Sequence, residues 1–381
     1  MDKLAIIGTG YMACIIAKRA NELGIETHCF SNDEHSVAAV VANYYHNINI
    51  LDVEKLTEYC RDIGINGIVA TTELTIWPTN YVANKLGLNG NEVEFSKKIT
   101  DKIYVREKTK NVVGLSKPYY WICYDKESLP VIERYPVIVK PISAGGKRGI
   151  SVIFEQQKIQ KAVEEAINVS KLKGALIEEF LTGGQEYSVE SLSYNGNHHI
   201  LQFTQKDSSG APHCVELGHH QPADLSIELR LRAEKVIGDC LTAVGMKNGP
   251  CHTEIKIIDG RIYLIEINAR PGGDHIAYPL TELSTGYPYI SGIIWTALDR
   301  LDEKAFQKLE KNYCGVYFVT TQTAYLKEIF EHCDGEPWLY RKNLVSKELK
   351  PIIHNDGFNT NYFIYFSRDK KPDLKIQEVN R

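Results

Sequence analysis

Residues 249–274 read GPCHTEIKIIDGRIYLIEINARPGGD. Two apolar runs flank Asp259-Gly260, a dipeptide suited to a tight turn, so the stretch predicts a β-hairpin. Side chains two apart on a strand share a face, which puts Glu266, Asn268 and Arg270 on one side. Whether Glu254 joins them depends on register. A two-residue turn pairs Ile258 with Arg261 and sends Glu254 to the face opposite Glu266. A three-residue loop, with Gly260 left-handed, pairs Ile257 with Arg261 and brings Glu254, Glu266 and Asn268 together. The second register is the one expected.

Two carboxylates and an amide oxygen on one face make a hard-oxygen cluster. Left bare, the carboxylates would repel and raise each other's pKa. A divalent cation relieves this, and Mg²⁺ is commonly held by one or two carboxylates together with phosphate oxygens. Arg270 adds a fixed cation suited to a phosphoryl group or a planar carboxylate.

Upstream, Val137-Ile138-Val139-Lys140-Pro141 is an apolar strand carrying one lysine, followed by Ser143-Ala144-Gly145-Gly146-Lys147-Arg148-Gly149. A buried lysine needs an anion, and a glycine-rich loop can wrap its N–H groups round phosphates. The loop is not a Walker motif. Next, Leu176–Leu181 (LIEEFL) reads as a strand end, which can offer backbone groups to an adenine ring, with carboxylates of GGQEYSVE downstream for ribose hydroxyls. Between the two motif regions, Glu216 and His219 fall at E-x-G-H spacing. A zinc reading of His213, Glu216, His219 and His220 lacks H-E-x-x-H spacing, and ordinary loop histidines remain the other alternative.

Further out, residues 1–95 alternate short apolar runs with helical patterns, as in a parallel sheet covered by helices. Gly8-Thr9-Gly10-Tyr11-Met12-Ala13 fits G-x-G-x-x-A, but the acidic ribose partner of a dinucleotide site is missing where the second strand ends, at His28–Asn32. The glycines are equally those of a tight strand-to-helix turn. Residues 96–118 read as a linker helix and 301–381 as a Tyr- and Phe-rich tail without motifs.

The composition restricts partners. The 381 residues carry 44 Lys+Arg against 48 Asp+Glu, a net charge of −4, so no nucleic-acid or anionic-membrane footprint is evident. No apolar run approaches the ~20 residues that span a bilayer. Lys3 and the apolar run after it mimic a signal peptide, but Gly8 and Gly10 interrupt that run. Nine scattered cysteines without a C-x-x-C pair fit a cytoplasmic protein with free thiols.

Taken together, these segments resemble the ATP-grasp superfamily over about residues 1–300. The order matches: a Rossmann-like leading domain, a D-K-x-x-x-R helix (Asp101, Lys102, Arg106), the strand lysine, the glycine loop, the E-E-F-L hinge and an E…E-x-N-x-R strand. The resemblance implies an α/β protein, α+β in its central part. Its units would be a leading domain (1–95), the linker (96–118), a small lid subdomain (119–185), an ATP- and metal-binding subdomain (186–300) and a C-terminal subdomain (301–381). It also implies roles. Lys102 and Lys140 would hold ATP phosphates, and Gly145, Gly146 and Gly149 would form the phosphate lid. Glu178 and Leu181 would meet adenine and Glu186 the ribose. Glu254, Glu266 and Asn268 would bind Mg²⁺ or Mn²⁺, and Arg270 would steady an acyl phosphate.

Within the superfamily, the RPGGD ending and the segment Lys206…Gln221 look like the L-amino-acid ligase branch, in which Glu216 would meet an amino group and His219 the reacting carboxylate or phosphate. The implied activity is carboxylate–amine ligation on small molecules, and dimerisation is common among such enzymes. Alternatives are an ATP-grasp enzyme with bicarbonate, a carrier-protein thiol or a purine precursor as acceptor, an NAD-dependent oxidoreductase, and a non-catalytic nucleotide sensor.

Overall fold

The computed structural model describes residues 1–33, 36–127, 129–143, 148–210, 215–352 and 357–374. Three sheets organise the described residues. The first is parallel, in the order Tyr44–Asn47, Glu26–Ser31, Lys3–Ile7, Gly67–Ala70. The Tyr11–Glu22 helix buries Met12, Ala13 and Ile16 against Ile290, Ile293 and Ile294 of the Tyr289–Ala297 helix. That apolar contact fixes the leading sheet on the central part of the molecule.

The stretch expected to be one linker helix is broken. Helices Val93–Lys98 and Lys102–Thr109 are separated at Asp101, whose carboxylate caps the second by accepting from the N–H of Ile103 (2.9 Å) and Tyr104 (3.4 Å). Lys102 and Arg106, four apart, therefore project from one face of that short helix. Leu115–Ser116 then joins the central sheet as a parallel edge strand.

A small antiparallel sheet follows, in the order Tyr120–Cys123, Ala175–Glu179, Val137–Pro141, Ser151–Ile153. The Ile159–Val169 helix covers it through Ile159, Ala162, Val163 and Ala166.

Among the described residues the central sheet has nine strands. Their order is Leu339–Asn343, Tyr362–Ser367, Tyr313–Phe318, Glu216–Gln221, Asn197–Ser208, Gln185–Tyr194, Gly249–Ile258, Arg261–Asn268, Leu115–Ser116. Three of these come from the tail after residue 301, which thus extends the sheet. The Ile227–Val244 helix, capped by Ser226 and ended by left-handed Gly245, packs on one face. No helix among the described residues is long and apolar enough to cross a membrane. The eight described cysteines are free thiols.

The hairpin departs from its expected register. Ile258 pairs with Arg261, so the turn has two residues, with Asp259 at φ 50° and Gly260 at φ 73°. On its own this would put Glu254 and Glu266 on opposite faces. A β-bulge corrects it: Ile255 pairs with Leu264 and Glu254 with Glu266, leaving Ile265 as an extra residue. The carbonyl of Ile265 accepts from Arg106 Nη2 at 3.1 Å. The three-residue loop is therefore wrong, and the shared face arises from the bulge.

Candidate active site

A cleft of about 990 Å³ lies between the small sheet, the central sheet and the leading domain. Its walls include Lys102, Lys140, Gly149, Glu178, Leu181, Glu186, Glu216, Glu254, Glu266 and Arg270. Residues from all the motif segments thus face one space.

Three buried ion networks build the wall. In the first, Glu178 Oε1 accepts from Arg106 Nε at 2.7 Å and Oε2 from Lys140 Nζ at 2.8 Å. Burial alone would raise the Glu178 carboxyl, but the two cations bring it down to about 2. Glu178 was expected to meet adenine. Its carboxylate is instead the counter-ion of Lys140 and Arg106, and so supplies the anion that a lysine in an apolar strand requires.

In the second network, Lys102 Nζ lies 3.0 Å from Glu266 Oε1. The third centres on Lys206 Nζ, 2.7 Å from Glu216 Oε1 and 3.1 Å from Glu254 Oε1. His252 bridges Glu190 Oε1 (2.5 Å) and Glu254 Oε1 (3.4 Å). Burial would discharge this imidazole, but the glutamates raise it to about 9. Mutual repulsion was expected to raise Glu254 and Glu266. Burial does oppose their ionisation, yet Lys206 and His252 hold Glu254 far below the usual carboxylate range, and Lys102 lowers Glu266. The lysines do part of the work assigned to a metal.

Glu254, Glu266 and Asn268 remain an all-oxygen donor set, which suits Mg²⁺ or Mn²⁺ better than a softer ion. Glu254 and Glu266 stand directly opposite across the strand pair and line the cleft; Asn268, two residues beyond Glu266 on the same strand, is not among the lining residues, though it helps lower the Glu266 carboxyl. The residues present fit a divalent ion shared with phosphates.

A second bulge shapes the other side. Asp207 pairs with Gly218 and Ser208 with Glu216, which leaves Leu217 extra and turns Glu216 to the face of His219 and Lys206. Without it, residues three apart on a strand point opposite ways. His219 Nε2 lies 3.1 Å from Glu216 Oε2, without hydrogen-bond alignment. His220 faces away, held by Tyr365 Oη (3.1 Å) and Asp207 Oδ2 (3.0 Å), so it takes no part in the zinc grouping considered above. His213, Gly145 and Gly146 lie outside the described residues. Gly149 adopts φ 69° at the cleft margin. Lys256 donates to the Leu181 carbonyl at 2.7 Å and stands 3.8 Å from Glu186, so it ties the hinge to the sheet. Arg270 Nη1 donates to the carbonyl of Pro271 at 2.9 Å.

Sequence reasoning missed His252, Glu190 and Lys256. A period of two was the available signal, because His252, Glu254 and Lys256 alternate along one strand, as do Glu186, Ser188 and Glu190 along its neighbour.

With this geometry established, comparison with known proteins places the fold. Residues 133–278 match the family model described as the ATP-grasp domain. The structure is similar to that of L-amino acid ligase from Bacillus licheniformis, with a TM-score of 0.79 and 21% identity over 97% of this chain and 94% of that one. It is also similar to the biotin carboxylase domain of Hydrogenobacter thermophilus 2-oxoglutarate carboxylase, solved with MgADP, ADP and bicarbonate: TM-score 0.73, 17% identity, 96% and 86% coverage. In sequence, 245 residues are 24% identical to the C-terminal section of the carbamoyl phosphate synthase large chain of Aquifex aeolicus, covering 60% of this chain and 43% of that protein. The chain spans only 14% to 43% of the length of the first carbamoyl phosphate synthase large chains it matches.

Proposed function

We propose that the protein is an ATP-dependent carboxylate–amine ligase with at least one amino acid substrate. The observation that carries this reading is the facing pair Glu254 and Glu266 in a cleft that also gathers Lys102, Lys140 and Arg270. A carboxylate cannot be attacked directly by an amine, because oxide is too poor a leaving group. Transfer of the ATP γ-phosphoryl group to the carboxylate gives an acyl phosphate and ADP. The amine then attacks the acyl carbon and phosphate leaves.

Glu254, Glu266 and Asn268 would hold Mg²⁺ or Mn²⁺, which neutralises charge on the outer phosphates. Lys102 and Lys140 face the phosphates, with Lys140 kept in place by Glu178. Leu181 and Glu186 border the nucleoside end, and Gly149 belongs to the phosphate lid. Arg270 steadies the acyl phosphate. Glu216 meets the amino group, and His219 the reacting carboxylate or phosphate. Catalysis on such a scheme is mostly positioning and charge neutralisation. Water must be kept out, and closure of the small sheet over the cleft would do so.

The test is a phosphate-release screen with ATP, Mg²⁺ and pairwise mixtures of amino acids, followed by product mass. An adduct of two substrates less one water is expected. Phosphate release triggered by bicarbonate, and by no amino acid, would instead favour a carboxylating relative.

A further inference from the structure

Glu216, Asp274, Tyr11 and Phe358 all line the cleft, and pairwise contacts link them into one end of its wall. Glu216, His219 and Asp274 bring ligand atoms within 4.8 Å of one another. Glu216 is already matched, with Lys206 at 2.7 Å. Asp274 is not. Its Oδ1 accepts from the N–H of Gly357 at 2.9 Å, and no cation among the described residues pairs with its carboxylate. His219 is fully buried; its Nε2 lies 3.1 Å from Glu216 Oε2, but neither ring nitrogen makes an aligned hydrogen bond. A carboxylate and an imidazole are thus held ready beside the cleft with acceptor capacity unspent. Such groups are costly to bury unless something completes them.

The neighbouring wall is aromatic. Phe358 follows the glycine that holds Asp274 and stacks on Tyr11 with ring centroids 4.0 Å apart. Aromatic faces attract cations, and more strongly where water is excluded. Burial, reinforced by the charge of Glu216, raises the Asp274 carboxyl, and the opposing influence of His219, the Gly357 N–H and Lys206 does not offset it.

We propose that this end of the cleft recognises a cationic side chain, an ammonium or guanidinium group, on one of the joined substrates, and that Asp274 selects it. Glu216 then serves the substrate's amino group, and Asp274 with the Tyr11–Phe358 wall serves the second positive charge. The substrate class is a basic amino acid. This inference rests on the ligase reading above, and its test separates the two.

Lysine and norleucine differ by the terminal ammonium alone. With ATP, Mg²⁺ and a common second substrate, kcat/KM for lysine is expected to exceed that for norleucine by about 10- to 100-fold. In Asp274→Asn that ratio falls at least about tenfold. A ratio near one in the unaltered enzyme, or a ratio that Asp274→Asn leaves unchanged, overturns the proposal. If Asp274→Asn loses its native circular dichroism, Asp274→Ser is the second variant, and the ratio in the unaltered enzyme decides by itself.

If no amino acid pair releases ADP, it is the ligase reading that fails. Calorimetric titration of lysine and norleucine into the enzyme with Mg²⁺ and a non-hydrolysable ATP analogue then reads the subsite directly. Lysine binding at least about tenfold tighter upholds it, and equal binding overturns it. A tight Mn²⁺ site seen by electron paramagnetic resonance without nucleotide, and lost in Asp274→Asn, would also overturn it in favour of a metal.

Discussion

Gly10 and Gly272 both reach the cleft, one from the turn after the first parallel strand and the other from the turn after the bulged hairpin. The surroundings of the two turns differ. In the first, Gly8 adopts φ 108°, and a Cβ there would come 2.5 Å from Thr71 Oγ1, whereas Gly10 has open space. The polar contact nearby is modest, Thr9 Oγ1 donating to Asp33 at 3.3 Å. In the second, the Gly272 N–H donates to Glu190 Oε2 at 3.1 Å, and a Cβ would fall 2.5 Å from Glu190 and 2.6 Å from His252. Tyr289 Oη also donates to Glu190. The first glycine turn solves a backbone problem. The second lets the chain approach a buried charge network that supports Glu254. A glycine signature therefore carries no chemistry by itself; the charges packed behind it do.

This contrast can be broken experimentally. The largest effect is expected for Glu266→Ala, which should cut ADP formation by about 10³-fold or more in a coupled assay. Turnover within tenfold of the parent would remove the hairpin from the chemistry. Next, Glu190→Ala leaves His252 buried without its main partner and should cost about 3–5 kcal/mol in urea denaturation. A loss below 1 kcal/mol would mean that the network supports nothing.

Acid should act through Glu178. Its folded pKa of about 2 lies below the ordinary 4.5, so its stabilising contribution is complete above pH 4.5 and fades as pH falls towards 2. Stability followed over this range in Glu178→Gln should lack that component, and identical acid profiles would contradict the pairing. The smallest effects belong to the leading turn. Gly8→Ala should cost about 1–3 kcal/mol from strain and the Thr71 contact. Gly10→Ala should stay within about 0.5 kcal/mol. Equal costs at the two positions would erase the distinction.

How much of this was legible depends on the range of the cause. Strand alternation is local, so Glu266, Asn268 and Arg270 could be aligned from spacing alone, and charged residues among apolar ones marked the wall. The parallel leading sheet followed from alternating strand and helix patterns. The two bulges were not legible. Ile265 is displaced where Arg106, far away in sequence, takes its carbonyl, and Leu217 where two strands meet out of phase. Nor could spacing reveal that Lys102 meets Glu266 or that Lys140 meets Glu178, since such pairs exist only after the sheets assemble. The E-x-G-H grouping was read through family likeness, because three-residue spacing on a regular strand argues against it.

The bulge at Ile265 has a practical corollary. Because facing is set there and at Arg106, the Asp259-Gly260 tip is free of that duty, and the Asp259 side chain is 85% exposed. New chain ends, a fluorophore or a grafted recognition peptide could be placed at this tip while the cleft keeps its shape.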